Sequence, residues 1–321
     1  MALPSSTYTE IVTTTINRYS SKLFDNVMDH HPLLARLRRK GRTVNVSGGV
    51  KILENLEYAE NSTAKWYNGL ELLDISASDV LTSAEFAWKQ FNVNAVFSGL
   101  EELQNNGKEQ MHNLIRARIR NAEKTAVNQI GAAVFNSNTE NGGKAIGGLQ
   151  HLVPDDPTTG VVGGIDSDPQ TWWRSQRIDL SDQAGSTDIA KMPQAMNRLM
   201  IATTRDRDMP DMFLGGTTYF TFYLESLQAN QRFTSDTEAS AGFRSLKFWG
   251  GAADVFFDVG CLATRMYALN TDYIYFRSHT DRNFTTAANK VATNQDATVV
   301  PIFWAGNMTA SNRSLQGVIT A

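Results

Sequence analysis

Apolar and polar positions alternate along this chain with a period that changes, and each period predicts an element. Val50, Ile52, Leu56 and Tyr58 fall on alternate positions, the two-residue repeat of a strand with one covered face. Asn68-Gly69 marks a turn, and LELLDISAS after it reads as a second strand. Phe86 to Val96 alternates through Phe86 and Trp88, then through Phe91, Val93 and Ala95, and the phase change at Gln90 predicts a bulge or twist. Residues 42–97 are therefore expected to form a long hairpin. A two-stranded ribbon is marginal in water, so it must lie on its own domain's core or on something else. The pattern leaves both open.

The period then lengthens. Met111, Ile115, Ile119, Ala122, Ala126, Ile130 and Ala133 recur every three or four positions, opposite Arg116, Arg120 and Lys124. Ser98 with Glu101 and Glu102 supplies a start signal, and Gly107 a break or kink. About 28 residues at ~1.5 Å each make a rod of about 42 Å, long for a globular helix. Asn138 to Gln170, with seven glycines and three prolines, predicts a crossover between two lobes. The second lobe alternates: a helix through Met192, Met196, Leu199 and Met200, a short strand Met212-Phe213-Leu214, and a helix bearing Phe220, Tyr223, Leu224 and Leu227. Strand signals follow at 255–259, 266–269 and 273–277, and VVPIFWAG and Gly317-Val318-Ile319 are expected to return to the first lobe.

The first forty residues predict an arm. Leu33 to Arg42 reads LLARLRRKGR, and Arg36, Arg38, Arg39, Lys40 and Arg42 form either a solvated face or a surface that docks on acidic neighbours or nucleic-acid phosphates. At the hairpin turn, Lys65, Trp66 and Tyr67 are the candidate contact residues.

Charge and chemistry narrow the function. Thirty Lys plus Arg against thirty-three Asp plus Glu, a net charge of −3, exclude a strongly basic nucleic-acid binder and an acidic tail. One cysteine, Cys261, excludes an internal disulfide framework. No apolar run suits a membrane span, and the N-terminus lacks the basic and apolar regions of a secretory signal; a soluble, cytoplasm-made protein is expected. Phosphate-loop, dinucleotide, nucleophile-elbow and zinc-helix motifs are missing, and the five histidines are not spaced as metal ligands. Asp206, Asp208 and Asp211 interleave with Arg205 and Arg207 and read as a solvated loop of ion pairs. Trp172-Trp173 reads as a pin holding a loop to the core. No enzyme, cofactor or metal is expected.

AEFAWKQFNVNAVFSGLEELQNNGKEQMHNLIRARIRNAEKTA, GGLQHLVPDDPTTGVVGGIDSDPQTWWRSQ and SLQANQRFTSDTEASAGFRSLKFWGGAADVFFDVGC, in this element order, resemble the major capsid proteins of tailed bacteriophages. The resemblance implies an α+β HK97-like capsid fold. Residues 1–41 would be the N-terminal arm, 42–97 the extended hairpin (E-loop) and start of the peripheral domain, and 98–169 the spine helix and crossover. Residues 170–295 would be the axial domain and 296–321 the C-terminal strands returning to the peripheral domain. It further implies a structural protein that assembles into hexamers and pentamers of an icosahedral-type shell in the host cytoplasm, ending in the virion. Portal and possibly scaffolding or decoration proteins would be partners, with weak non-specific contact to packaged double-stranded DNA and none to membrane. Strand signals from residue 43 imply that any scaffolding comes from a separate protein. An encapsulin-type bacterial compartment is the alternative within the fold; a soluble hydrolase using Asp206 or Asp208 is the alternative outside it.

Overall fold

The computed structural model describes residues 28–29, 31–98, 108–185, 187–227, 246–286, 290–291 and 296–321, with side chains at all of these except 108–116, 119, 286 and 290–291. The arm residues 1–27, the start signal at Glu101 and Glu102, and the helix side chains Met111, Ile115, Arg116 and Ile119 lie outside the described residues.

The strands run in chain order β1 (Thr43–Val46), β2 (Ile52–Glu57), β3 (Leu81–Phe86), β4 (Lys89–Ser98), β5 (Val161–Val162), β6 (Ile165–Asp166), β7 (Gln176–Asp179) and β8 (Met212–Gly215). They continue as β9 (Leu246–Phe248), β10 (Ala253–Phe257), β11 (Met266–Leu269), β12 (Ile274–His279), β13 (Thr285–Thr286), β14 (Lys290–Val291), β15 (Ala297–Ala310) and β16 (Gly317–Thr320). Among the described residues they form two six-stranded sheets and two small ribbons.

The run VVPIFWAG lies in β15, a 14-residue strand that is the axis of the first sheet. β4 pairs antiparallel with it from Ala297 opposite Ser98 to Gly306 opposite Lys89. Its other edge takes β14, β13 and β12, and β1 adds parallel to β12. Pro301, which cannot donate to a ladder, sits where that second edge changes from β14 at Val299 to β13 at Ile302. Phe91 and Val93 are half-buried and Ala95 and Phe97 buried, as the alternation in β4 predicts. The helix Lys108–Ala133, 26 residues and therefore about 39 Å long, packs beside β4 through Ala122, Ala126, Val127 and Ile130.

The second sheet has the order β7-β16-β11-β8-β10-β9. Its inner strands β16, β11, β8 and β10 are buried on both faces, so they carry mostly apolar residues, whereas the edge strands β7 and β9 are partly exposed. Met212 and Leu214 face the main core with Tyr267, Leu269 and Val318. Phe213 faces the opposite way, with Val255, Met266, Ala268 and Ile319, beneath the helices Asp188–Thr203 and Thr217–Ser226.

Four elements differ from the sequence expectation. Pro32–Arg39, assigned to the arm, is a helix whose Leu33, Leu34 and Leu37 are wholly buried in the main core. Gly317–Thr320 closes the second-lobe sheet between β7 and β11, because β15 alone makes the return to the first lobe. LELLDISAS is not a strand: it has no neighbouring chain to supply a ladder. Val50 is exposed, since β2 begins only at Ile52, after Gly48 and Gly49 bend the chain at positive φ.

Candidate assembly interface

The predicted hairpin has two parts with opposite surroundings. Its base, β2 with β3, is folded onto its own chain. Ile52, Leu56, Ala84 and Phe86 are buried on one face, and the same face of β2 carries Glu54. Glu54 accepts two hydrogen bonds from Arg277 of β12, each 2.8 Å, and a third from the Thr309 hydroxyl at 2.6 Å. Arg277 also lies over the Tyr275 ring at 4.7 Å. The turn Gly163-Gly164 between β5 and β6 caps the ribbon, with Glu85 N–H donating to Gly163 O at 2.8 Å. Gly163 needs its lack of a side chain twice: its φ is 63°, and a Cβ there would meet Ala84 at 2.9 Å. Trp172 stacks near Tyr58, with ring centroids 5.3 Å apart.

Beyond Tyr58 the hairpin leaves the body. Its neck is stitched by short polar side chains: Ser78 Oγ donates to Asn61 at 2.9 Å, and Ser62 N–H donates to Ser78 Oγ at 3.3 Å. Lys65 Nζ donates to Leu72 O across the loop, and Ser76 N–H donates to Asp74 at 2.9 Å. That bond and the Ser76 side chain hold the Asp74 carboxyl below its ordinary value. Gly69, at φ 59°, makes the predicted turn. The loop is thus shaped by its own polar groups while its apolar groups find no cover. Trp66 is 101%, Leu70 104%, Leu72 92% and Ile75 95% exposed, with Tyr67 and Leu73 largely so. Apolar side chains left exposed together in this way make the loop a candidate interaction surface. Of the candidates, Lys65, Trp66 and Tyr67 sit together here. Leu70, Leu72 and Ile75, which the period assigns to a strand, share this surface; their signal is an apolar run beside Glu71 and Asp74 without a complementary strand.

The basic run finds its acidic partners inside its own chain. Arg36 pairs with Asp211 at 2.8 Å and Asp254 at 2.9 Å, Lys40 with Asp211 at 2.9 Å and Asp272 at 3.0 Å, and Arg42 with Asp272 at 3.1 Å. This network fastens the helix Pro32–Arg39 to the strand ends of the second sheet, at the start of β8 and β10 and just beyond the end of β11. Arg38 pairs with Asp29 at 3.0 Å, and Arg39 is exposed. Asp211, expected in a solvated loop, is therefore a half-buried hub that also accepts from Thr271 N–H and Oγ1 at 2.8 and 2.7 Å. Burial pushes its carboxyl up, but Arg36, the Thr271 N–H and Lys40 outweigh that and leave it below 3.8. Asp206 and Asp208 are exposed, and Asp208 accepts from Tyr273 at 2.6 Å.

Other candidate chemistry resolves into structure. Trp173 is buried, donates to Val162 O at 2.9 Å and lies under the guanidinium of Arg313, 5.6 Å from the ring, as a loop pin. Cys261 is buried, and burial pushes its thiol up to about 12, far from reactive. Among the described residues no group of three or more His, Cys, Asp or Glu is placed to hold a metal ion, and no helix is long and apolar enough to cross a membrane.

No protein-family model and no curated protein matches this chain. Solved structures do. The chain is similar to the Cyanophage A-1(L) capsid asymmetric unit, with 15% identity, 87% of this chain and 90% of that one covered, and a TM-score of 0.61. Similarity to the capsid of the native GTA particle has 12% identity, coverage of 88% and 89%, and a TM-score of 0.58. The holo-SrpI encapsulin complex from Synechococcus elongatus PCC 7942 is similar at 11% identity, 90% and 87% coverage, and a TM-score of 0.56. The fold is the α+β, HK97-like fold of these shells, as the sequence led us to expect.

Proposed function

We propose that this chain is the major shell subunit of a phage-type head, assembling with copies of itself into pentamers and hexamers that enclose double-stranded DNA. The observation that carries this is the hairpin: a base locked to its own body, and a tip whose Trp66, Leu70, Leu72 and Ile75 have nothing of their own chain to cover them. A head-to-tail contact made by such a tip on the next copy closes rings, and rings tile shells. Each contact can be modest, because every subunit makes many. The shared capsid fold supports the same reading. Lys65, Trp66 and Tyr67 lie in that contact. Of the basic run, Arg39, exposed at the end of its helix, and the partly exposed Arg38 are the side chains we assign to this contact or to packaged phosphates, while Arg36, Lys40 and Arg42 brace their own chain through Asp211, Asp254 and Asp272. A net charge of −3 suits a container that holds DNA without trapping it. Assembly takes place in the host cytoplasm and ends in the virion, with portal and scaffolding or decoration proteins as further partners. Sedimentation velocity and negative-stain microscopy of expressed protein test this: rings, tubes or shells are expected, and a permanently monomeric species overturns it.

The likeness to the encapsulin complex favours a second reading, a bacterial compartment around a protein cargo. Purified particles separate the two. Nuclease-protected DNA of defined length belongs to the head, and a co-purifying enzyme without DNA to the compartment.

A further inference from the structure

A cleft of about 140 Å³ opens between β4, the end of the helix Lys108–Ala133 and the turn at 141–146. Phe91, Ile130, Ile146 and Trp304 supply its apolar lining, and the amides of Gln90, Gln129, Asn136 and Asn141 with two lysines, Lys89 and Lys144, supply the polar part. No Asp or Glu lines it. Among the described residues neither lysine is paired with a carboxylate, whereas Arg36, Lys40, Arg42 and Arg277 on the same body all are. Lys89 donates instead to Gly143 O, and burial holds its ammonium below the ordinary value of 10.5. A cleft with apolar and amide walls and two cations but no carboxylate fits an apolar side chain flanked by a carboxylate.

The chain itself displays such a segment. Leu70-Glu71-Leu72-Leu73-Asp74-Ile75 intersperses exposed apolar groups with two carboxylates, neither of them in an ion pair among the described residues. Leu70 lies ten residues from Val80 at the hairpin base and Ile75 five, so at ~3.3 Å each the segment reaches at most about 17 Å at Ile75 and about 33 Å at Leu70, far enough to meet an adjacent subunit. Resting on the self-assembly proposed above, we propose that the Lys89–Lys144 cleft is the receptor for the Leu70–Ile75 segment of a second copy. One apolar side chain of the segment enters over Trp304 and Ile130, while Glu71 and Asp74 meet the two ammonium groups.

The test uses the full chain made assembly-silent by serine at Trp66, Leu70, Leu72 and Ile75, titrated with a fluorescent peptide of residues 66–78. Saturable binding is expected. Lys144→Glu should weaken it roughly tenfold, as should raised salt, and a peptide carrying Glu71→Lys and Asp74→Lys should recover affinity for that variant. Lys144 is exposed, so its replacement does not threaten folding; Lys89→Gln is the second variant, checked by its unfolding midpoint. In the otherwise unmodified chain, Lys144→Glu should block assembly, and adding Glu71→Lys with Asp74→Lys should restore it. Equal binding by a scrambled peptide, or unchanged binding and assembly with Lys144→Glu, overturns the cleft while leaving self-assembly intact. Tighter binding of an unrelated acidic peptide overturns the second copy as occupant. If the unmodified chain never assembles, it is self-assembly that fails, and the peptide titration still judges the cleft.

Discussion

Replacing Glu54 by glutamine tests how the hairpin is held. Glu54 is 5% exposed and receives both prongs of the Arg277 guanidinium at 2.8 Å and the Thr309 hydroxyl at 2.6 Å. The substitution keeps the shape and removes the charge, leaving an uncompensated guanidinium in the interior. Breaking one side of a buried ion pair costs about 3–5 kcal/mol. The lower end applies here, about 3 kcal/mol, because Arg277 keeps its place over Tyr275 and its side chain is 17% exposed to water. Replacing both partners with leucine removes the stranded charge, so Glu54→Leu with Arg277→Leu should fall within about 1 kcal/mol of the original. Urea unfolding of the assembly-silent chain measures each corner of the double-mutant cycle, and a coupling of about 3 kcal/mol is expected. Hydrogen exchange should show β2 and β3 amides opening faster in Glu54→Gln. A cost below about 1 kcal/mol, or the same cost whether or not Arg277 is present, refutes the anchoring role.

Three further outcomes are expected. Serine at Trp66, Leu70, Leu72 and Ile75 should abolish assembly while leaving the unfolding free energy within about 0.5 kcal/mol, because those side chains touch nothing in their own chain and each offers about 1.5–3 kcal/mol of burial to a neighbour; sedimentation and urea melts read both. Asp211 and Asp272 are held below their ordinary 3.8, so the stability they contribute is present above that value and lost as pH falls through their lower folded values. The unfolding midpoint should therefore drop steeply below about pH 4, and Asp211→Asn should flatten that limb. Gly216→Ala should destabilise by about 3 kcal/mol or stop folding, since its Cβ would lie 1.9 Å from the Leu262 carbonyl; a melt within about 1 kcal/mol of the original would contradict that packing.

Local patterns carried much of the fold. The alternation through Phe91, Val93 and Ala95 placed β4, and the stripe Ala122, Ala126 and Ile130 placed the long helix, because each signal lies within one element. What failed depends on partners distant in sequence. In LLARLRR, Leu33, Leu34 and Leu37 already share a helical face, yet the charge run suggested an arm. Its neutralising carboxylates, Asp211, Asp254 and Asp272, come from another lobe, so no local window contains the network. Glu54 interrupts an apolar face for the same reason, its partner Arg277 lying 223 residues on. LELLDISAS misled differently: an apolar run without a strand beside it in its own chain is contact surface, and sequence period cannot tell the two apart. The cleft at Lys89 and Lys144 joins four segments distant in sequence, the last of them Trp304 of β15, and has no sequence signature.

The most direct measurement is a cryo-EM map of the assembled particle at side-chain resolution. It should show residues 59–80 of each subunit lying on a sister subunit, with Trp66, Leu70, Leu72 and Ile75 covered by that neighbour. A particle in which this loop stays bare or folds back on its own subunit would contradict assembly by the hairpin.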